Sequence, residues 1–235
     1  MLLDRLDPTT REPAPVGDSV VKNILHRCLA DDVLSAGRDR VSKRSYLYSS
    51  GQVDRRIYIV ESGYIKTVTI SYQGKECLVG LYGPGDVFGE SAFVDDRRTE
   101  SAVALTNCTV RPVSRLSKSP DTLPRDLMIS LLELSLRRVA EQQAVITGLI
   151  TMQSEHRLAA TLLRLARRFG LREGHVLRLS TSLVTQQELS EMVGTTRSRV
   201  GYFLRCFNER GIVSRIQGFL LMDEIRVESF LMTES

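Results

Sequence analysis

Between about residues 40 and 115 the sequence alternates short apolar, β-branched runs with breaks that contain glycine. The runs are SYLYSSG, RIYIVESG, YIKTVTISYQG, KECLVGLYGPG and SAVALTNCTVRPVS. Several short strands of this kind, separated by turn signals at near-regular spacing, predict an antiparallel β-barrel or a sandwich such as a jelly roll. The segment YQGKE predicts a tight hairpin turn at Gly74.

Helical periodicity begins after Pro120 and Pro124 and runs from about residue 125 to 152. Pro124 suits the first turn of such a helix. Its apolar residues form two stripes, and we expect one stripe to pack on the barrel and the other against a second copy of the helix. The first stripe is Leu127, Leu131, Leu134, Val145, Leu149 and Met152, and the second is Leu132, Leu136, Val139, Ile146 and Ile150.

The remaining third of the chain has shorter helical segments. The segment HRLAATLLRLARRFG starts at His156 and is followed by a break at residues 170–174. Two further helical segments, VTQQELSEMVG and TTRSRVGYFLRCFNERG, precede a β-like end, IVSRIQGFLLM. Two helices joined through a Val-Gly turn and followed by a hairpin predict a winged helix-turn-helix.

The predicted fold class is therefore α+β, in four parts. Residues 1–18 are polar and hold three of the seven prolines, so we expect a loose arm. Residues 19–120 are predicted to form the barrel, with one or two short helices in VVKNILHRCLADDVLSAG at its start. Residues 121–153 would be the long dimerisation helix, and residues 154–235 the winged helix-turn-helix domain.

Charge and hydropathy narrow the classes of function. The 235 residues include 32 Lys and Arg against 28 Asp and Glu, and the net charge of +4 with a pI near 9.0 fits an anionic partner such as nucleic acid. No apolar run reaches the ~18 residues that a membrane-spanning helix needs. The first residues lack the basic and apolar regions of a secretory signal, so we expect a cytoplasmic protein without membrane association.

The cysteines and histidines are scattered and predict no metal site or disulfide framework. They are Cys28, Cys77, Cys108, Cys206, His26, His156 and His175. A metal-dependent enzyme would need clustered ligands, and no nucleophile–base pair stands at a recognisable spacing. We therefore expect a protein that is not an enzyme.

The stretch GPGDVFGESAFVDDRRTESAVA combines groups that suit a cyclic phosphate. A helical turn after Gly89, through Ser91, would expose backbone N–H groups, which bind anions. Arg98 offers a fork of donors for two phosphate oxygens, Thr99 adds a hydroxyl, and Glu90 can accept from a ribose hydroxyl. A β-turn with a surface arginine would show the same residues, since short motifs match often.

The segment TTRSRVGYFLRCFNER predicts a DNA-reading helix. Arg197, Ser198, Arg199 and Tyr202 lie near its start and along one side. An arginine at the start of such a helix can enter the major groove and bond O6 and N7 of guanine.

The ends of the two predicted helices carry capping residues that can also contact DNA phosphates. Thr195 or Thr196 suits the N-cap of the reading helix, and Thr185, followed by Gln186, opens the helix before it. The alternative is an amphipathic surface helix whose basic residues face water. The preceding helix, the turn at Gly194 and the following hairpin favour DNA reading.

The region from about residue 20 to 225 resembles the CRP/FNR family of bacterial transcription regulators. The phrase RIYIVESGYIKTVTISYQGKECLVGLYGPGDVFGE is similar to the strand pattern of the family's cyclic-nucleotide-binding domain. In relatives that bind cyclic AMP, a Glu contacts the ribose 2′-hydroxyl, and an Arg followed by Ser or Thr holds the cyclic phosphate. The resemblance implies these roles for Glu90, Arg98 and Thr99, with Arg97 as an alternative phosphate partner because the intervening loop is shorter.

The long helix carries further positions of this resemblance. In the cyclic AMP-binding relatives it supplies an Arg and then a Thr-Ser pair that reaches the base across the dimer. The corresponding residues here are Arg138, Gln142 and Gln143. Glutamines can donate and accept hydrogen bonds, but they depart from the family pattern, so cyclic AMP, cyclic GMP, another nucleotide or no ligand stay open as alternatives.

The phrase TQQELSEMVGTTRSRVGYFL resembles the family's helix-turn-helix, and the guanine-reading arginine falls on Arg197. Ser198 and Tyr202 replace base-reading residues of the best-known member, so the half-site is expected to differ. Iron–sulfur relatives carry a cysteine group near the N-terminus, where this chain has only Cys28. Haem-binding relatives need axial ligands, and no histidine lies between residues 27 and 155, so neither cofactor is expected.

The leading hypothesis is a homodimeric transcription regulator that is gated by a cyclic nucleotide between barrel and dimer helix. Its implied partners are a pseudo-palindromic operator in double-stranded DNA, a second copy of itself and RNA polymerase. The alternative is a regulator of the same kind that binds DNA without a nucleotide effector, with the barrel as a scaffold.

Overall fold

The computed structural model describes residues 37–113 and 125–233, and its N-terminal part is a β-sandwich. The strands are β1 (Asp39–Val41), β2 (Tyr46–Tyr48), β3 (Ile57–Ser62), β4 (Ile65–Ile70), β5 (Glu76–Tyr82), β6 (Val87–Phe88), β7 (Ser101–Ala104) and β8 (Cys108–Val113). One antiparallel sheet has the order β1-β8-β3-β6 and the other β2-β7-β4-β5. The predicted antiparallel jelly-roll class is confirmed, in its sandwich form.

The hairpin between β4 and β5 shows how the sequence sets the pairing. The strands pair from Ile65 opposite Tyr82 to Ile70 opposite Glu76. Gly74 turns the chain with a φ of +75°, a conformation that glycine adopts without steric cost. The hairpin turn predicted at Gly74 is therefore confirmed.

Four aromatic rings stack through the core of the sandwich. The ring centroids of Tyr48 and Tyr58 are 5.9 Å apart, those of Tyr58 and Phe88 are 5.5 Å apart, and those of Phe88 and Tyr82 are 5.1 Å apart. Offset stacks at these separations are favourable beyond the area that they bury. This stack, which we call the aromatic stack, provides flat faces on which cationic side chains can lie.

The helix α1 (Arg125–Thr151) follows and confirms the long helix predicted from about residue 125 to 152. In its first apolar stripe Leu127 is buried and Leu131, Leu134 and Val145 are partly buried. The second stripe is exposed throughout, with exposed fractions of 48–78% for Leu132, Leu136, Val139, Ile146 and Ile150. Leu149 and Met152, at the end of the first stripe, are 46% and 37% exposed. The described chain therefore covers four of the six residues of the first stripe and leaves the second exposed.

The C-terminal part is a winged helix-turn-helix. Its helices are α2 (Ser154–Phe169), α3 (Gln186–Val193), α4 (Arg197–Glu209) and α5 (Glu224–Leu231). Its strands are β9 (Leu171–Glu173), β10 (Val176–Ser180), β11 (Val213–Ile216) and β12 (Phe219–Asp223), in the order β11-β12-β10-β9. The predicted helix pair and hairpin are confirmed. The β9–β10 hairpin and α5 were not predicted, because such short segments have too few periodic positions to stand out.

Side-chain caps define the two helices of the helix-turn-helix. Thr185 accepts from the N–H of Glu188, whose carboxylate accepts from the N–H of Thr185 at 2.9 Å, which is a capping box. Gly194 ends α3 with a φ of +65°. Thr196 then caps α4 by accepting from the N–H of Arg199. The caps expected at Thr185 and Thr196 are therefore confirmed.

The sandwich and the winged helix-turn-helix pack against each other. Leu81 and Leu105 of the sandwich belong to the same buried apolar cluster as the helices α2, α3 and α4. The ring of Tyr64 meets that of Phe169 edge-on at 5.8 Å. The two halves therefore share a core, and not only a linker helix.

Ion pairs also join the two halves. Nζ of Lys66, on β4, lies 3.7 Å from a carboxylate oxygen of Glu188 and 3.6 Å from one of Glu191, both on α3. The side chains of all three residues are at most 14% exposed. Arg168 on α2 pairs with Asp86 of the sandwich at 3.3 Å. We call the group of Lys66, Glu188 and Glu191 the interdomain latch.

Some predictions concern segments outside the described residues. These are the loose arm at residues 1–18, the short helices in residues 20–36, and the prolines at 120 and 124. Within residues 37–113 and 125–233, none of the helices has both the length and the apolar character that crossing a membrane requires.

Candidate functional site

The loop after β6 has the backbone that the predicted phosphate site requires. A short 3-10 helix (Glu90–Phe93) begins there, and Gly89 precedes it with a φ of +87°. A Cβ at residue 89 would lie 2.9 Å from Nη1 of Arg98 and 3.3 Å from the carbonyl oxygen of Arg56. Glycine is therefore needed for both the backbone conformation and the space. We call residues 89–91 together with Thr99 the cradle.

Arg98, the predicted phosphate ligand, is buried and already bonded. Nη1 donates to the carbonyl of Gly89 at 2.8 Å, Nη2 donates to the carbonyl of Arg56, and Nη2 lies 3.3 Å from the carboxylate of Asp54. Its guanidinium lies 4.1 Å from the ring centroid of Tyr48, at one end of the aromatic stack. Arg98 holds the loop of the cradle from inside the sandwich, and its role as a phosphate ligand stays a prediction.

Asp54 is the acidic partner of this buried guanidinium. Burial alone would raise its pKa, but hydrogen bonds from Arg56 and Tyr58 and the charge of Arg98 lower the pKa to about 2. The hydroxyl of Tyr58 donates to it at 2.8 Å. The carboxylate therefore stays ionised at neutral pH and neutralises Arg98.

Glu100 places a second carboxylate at the cradle. Its Oε1 accepts from the hydroxyls of Tyr48 at 3.1 Å and Ser91 at 3.2 Å, and its Oε2 accepts from Thr99 at 2.6 Å. Burial, together with the charge of Glu100, raises the pKa of Tyr48 far above its ordinary value, so the phenol keeps its proton and donates. Glu100 was not among the predicted site residues, although an acid directly after Thr99 is visible in the sequence.

Arg138 connects the cradle to α1. Nη1 donates to a carboxylate oxygen of Glu90, and Nη2 donates to the carbonyl of Val87. The guanidinium lies 5.1 Å from the ring centroid of Tyr82, at the other end of the aromatic stack. Because Tyr82 and Val87 belong to different strands, this single side chain ties the helix to both strand ends.

The structure brings part of the predicted ligand set together. Glu90 and Arg138 are in direct contact, and Ser91 and Thr99 meet at Glu100. The side chains of Gln142 and Gln143 are exposed on α1, one turn or more beyond Arg138. Their predicted contact with a base would need a second copy of the chain, as the resemblance implied, and it stays a prediction.

The reading helix α4 presents its predicted DNA-binding side chains to solvent. Arg197, Ser198, Arg199 and Tyr202 are all exposed, while Val200, Phe203 and Phe207 on the opposite face are buried. Within the described part of the chain, the guanidinium of Arg197 forms no hydrogen bond or ion pair. An exposed arginine without an acidic partner at a helix N-terminus is free to contact a base or a phosphate.

The helix α3 supports α4 from behind. Thr185 is exposed at the start of α3, and the amide of Gln186 lies against Gly201 of α4. A Cβ at residue 201 would be 3.4 Å from Oε1 of Gln186. Gly201 thus allows the close crossing that holds α4 outward, and Thr185 stays a candidate for a phosphate contact.

Comparison with known proteins defines the family. A cyclic nucleotide-binding domain model matches residues 38–116, and a Crp-like helix-turn-helix domain model matches residues 156–229. The chain is 33% identical over 174 residues to the CRP-like cAMP-activated global transcriptional regulator of Mycobacterium tuberculosis, over 73% of this chain and 77% of that protein. The chain belongs to the CRP/FNR family of transcription regulators. It is a DNA-binding transcription regulator and not an enzyme.

Further known proteins resemble the chain over most of their length. The Anaerobic regulatory protein of Haemophilus influenzae is 29% identical over 180 residues, which are 76% of this chain and 69% of that protein. The solved structure of FixK2 from Bradyrhizobium japonicum has a TM-score of 0.72 at 18% identity and covers 85% of this chain and 99% of its own. The solved structure of a CRP/FNR-family regulator from Thermus thermophilus has a TM-score of 0.68 at 22% identity. The match covers 85% of this chain and 100% of that chain. These likenesses confirm the fold.

Proposed function

We propose that this CRP/FNR regulator is a homodimer that reads a specific DNA sequence with α4. The observation that carries the proposal is the exposed, unpaired Arg197 at the start of a helix that is capped and held outward by α3. A bidentate arginine contact to guanine contributes ~1–3 kcal/mol of discrimination between bases. Ser198 and Tyr202 lie beside it on the exposed side and would complete the reading surface.

The second stripe of α1 supports the homodimer. Five apolar side chains at helical spacing stay uncovered on a helix of 27 residues. Such a stripe fits a second copy of itself in a coiled-coil contact. Pairing two copies would present two reading helices to major-groove half-sites ~34–36 Å apart, and hence to a pseudo-palindromic operator. The proposal places this regulator in the cytoplasm, where it acts with RNA polymerase.

The geometry favours DNA binding without a cyclic-nucleotide effector. Arg98 is neutralised by Asp54 inside the sandwich, and the hydroxyls of Ser91 and Thr99 are bonded to Glu100. The two hydroxyls and the two Nη atoms of Arg98 are thus bonded within the protein itself, while the buried Nε of Arg98 has no hydrogen-bond partner among the described residues. The sandwich then acts as a scaffold that positions α1 and the winged helix-turn-helix.

Gating by cyclic AMP or cyclic GMP is the second candidate, and two observations favour it. Residues 38–116 match a cyclic nucleotide-binding domain, and the relative from M. tuberculosis is named as cAMP-activated. The contact between Arg138 and Glu90 would couple a ligand in the cradle to α1. The nucleotide would have to displace Glu100 from the cradle and recruit Arg98 from Asp54.

The DNA-reading proposal is tested by selection from a random pool of duplex DNA. The purified full-length protein should enrich a two-fold symmetric sequence, without added nucleotide, with half-site centres about one or a multiple of a helical turn apart. Binding to the enriched duplex should be at least ~10³-fold tighter than binding to random duplex at the same salt concentration. Recovery of no enriched sequence, or equal affinity for both duplexes, would contradict the proposal.

A further inference from the structure

Glu100 occupies the cradle with an anion that belongs to the protein. Its two carboxylate oxygens accept from three hydroxyls, those of Tyr48, Ser91 and Thr99. Hydrogen bonds to a carboxylate are about twice as strong as those between neutral groups. The same donors would be offered to the oxygens of a phosphate, so Glu100 and a phosphate compete for one set of hydrogen bonds.

The positive charges around the cradle are neutralised as well. Arg98 is paired with Asp54, and Arg138 is paired with Glu90. Asp54 is shared with a second arginine, because Nε of Arg56 lies 2.9 Å from its carboxylate, and Glu100 forms no ion pair within the described residues. The three arginines around the cradle are thus matched by three carboxylates, those of Asp54, Glu90 and Glu100. A phosphate entering the cradle would add a negative charge next to Glu90 and Glu100, in a partly buried place where water screens charges weakly.

Glu100 also connects segments of the sandwich that a bound ligand would otherwise connect. Tyr48 belongs to β2, Ser91 to the 3-10 helix, and Thr99 to the segment that enters β7. One carboxylate therefore ties three separate segments of the sandwich together. Through Glu90, next to Ser91, the same loop is joined to Arg138 of α1.

We propose that Glu100 is the specificity-determining residue of the cradle, an internal substitute for the anion of an effector. It excludes cyclic phosphates and holds the loop against α1 in their absence. This inference rests on the proposed function, because it names how the sensor half of the DNA-binding regulator is kept in its working arrangement. It assigns the exclusion of cyclic nucleotides to one carboxylate and not to the exposed glutamines of α1.

The first test measures melting temperatures of the full-length protein with cyclic AMP, cyclic GMP and inorganic phosphate at constant ionic strength. A ligand at about 100 times its Kd should raise the melting temperature of a chain of this size by roughly 5–10 °C. We expect no such shift for the wild-type protein. A shift of that size with either nucleotide would overturn the inference.

The second test removes the Glu100 carboxylate by mutation and supplies a free carboxylate, acetate, in the buffer. Glu100→Ala should lower the melting temperature by roughly 5 °C, and acetate should restore several degrees relative to chloride at equal ionic strength. The matched control is Glu228→Ala, which removes a half-exposed glutamate that pairs with Arg167 on the surface. Acetate should change neither the control nor the wild type, and an equal response of all three proteins would overturn the inference.

A third variant, Glu100→Gln, keeps the inference testable if Glu100→Ala does not fold. Glu100→Gln keeps the shape of the side chain and one oxygen acceptor but removes the charge, so inorganic phosphate should raise its melting temperature more than that of the wild type. Equal shifts would overturn the inference.

DNA binding by the wild type is measured in parallel by fluorescence anisotropy. Absence of sequence-specific DNA binding by the wild type would refute the proposed function. A rise in its melting temperature with a nucleotide, together with sequence-specific DNA binding, would refute only the role of Glu100.

Discussion

Among single residues, Asp54 supplies the negative charge that allows Arg98 to be buried in the sandwich. The side chain of Asp54 is 4% exposed and that of Arg98 is fully buried, so water contributes little to the solvation of either charge. Arg98 is stabilised by Asp54 and by the carbonyl of Gly89, and Asp54 also accepts hydrogen bonds from Arg56 at 2.9 Å and from the hydroxyl of Tyr58. Removing one member of a buried pair is costly because the remaining charge is left without a partner.

Asp54→Asn should therefore destabilise the sandwich strongly. We expect the free energy of unfolding to fall by about 3 kcal/mol, the lower end of the range for breaking a buried pair, because the amide oxygen still accepts a hydrogen bond. Chemical denaturation monitored by circular dichroism measures it. The matched control is Asp96→Asn, which breaks the exposed pair with Arg55 and should change the free energy of unfolding far less, because water screens that pair. Equal losses would contradict the assignment of Asp54.

The same carboxylate makes stability depend on pH in a defined window. Folding lowers the pKa of Asp54 from 3.8 to about 2, which corresponds to roughly 2 kcal/mol of stabilisation when the group is ionised in both states. This contribution is complete above about pH 4 and is lost as the pH falls towards 2. The stability difference between wild type and Asp54→Asn should therefore shrink between pH 5 and pH 2. A difference that stays constant over this range would contradict the ionised pair.

At the scale of elements, α1 has two faces that meet different surroundings. Arg138 contacts the sandwich, Leu149 of the first stripe lies beside Gly194 of the helix-turn-helix, and the second stripe is 48–78% exposed in the described chain. The spacing of the apolar residues predicted both stripes, because helical periodicity places positions three and four apart on one face. The proposal that the second stripe meets a second copy rests on the exposure of its side chains.

Leu136→Glu should break the homodimer, because it places a charge in the middle of the second stripe. We expect the dissociation constant of the dimer to rise by roughly 100-fold, about 3 kcal/mol, as measured by light scattering or sedimentation across a concentration series. The control is Ala144→Glu, an exposed position of α1 outside both stripes, which should leave the dimer intact. A dimer that tolerates the first change would exclude this stripe as the interface.

At the scale of the whole molecule, the interdomain latch fixes how α3 sits on the sandwich. Glu191 carries a buried carboxylate oxygen with no hydrogen-bond partner among the described groups, and Lys66 is its charged neighbour at 3.6 Å. Without Lys66, Glu188 and Glu191 would repel each other in a largely buried place. Because α3 supports α4, the latch contributes to the orientation of the reading helix.

Lys66→Met should loosen this contact while keeping most of the volume of the side chain. We expect amide exchange in residues 186–193 to accelerate by roughly 5- to 30-fold, which corresponds to 1–2 kcal/mol, with the sandwich strands unaffected. Hydrogen exchange with mass spectrometry resolves the two regions. Lys75→Met, at an exposed lysine of the β4–β5 hairpin, is the control. Unchanged exchange in both variants would show that the apolar contacts hold the halves together without the latch.

Local patterns predicted the elements of this fold well, because strand alternation, helical periodicity and caps such as Thr185 and Thr196 depend on neighbouring residues. The short β9–β10 hairpin and α5 were missed, since their patterns are too brief. The positions of Arg98 and Glu100 depend on contacts between distant segments, with Asp54 and Tyr48 respectively. A motif shows that an arginine is present, but the sequence alone did not indicate that a buried acid already binds it.

Comparing Arg197→Ala with the wild type on specific and random duplex DNA separates base reading by α4 from general phosphate contact. Arg197 is exposed and unpaired within the described chain, and the control Arg40→Ala removes an exposed arginine of β1. We predict that Arg197→Ala weakens specific binding by roughly 5- to 150-fold, that is ~1–3 kcal/mol, and random binding far less, while Arg40→Ala changes neither. Equal losses of Arg197→Ala on specific and random DNA would contradict a base-reading role and leave Arg197 as a general phosphate contact.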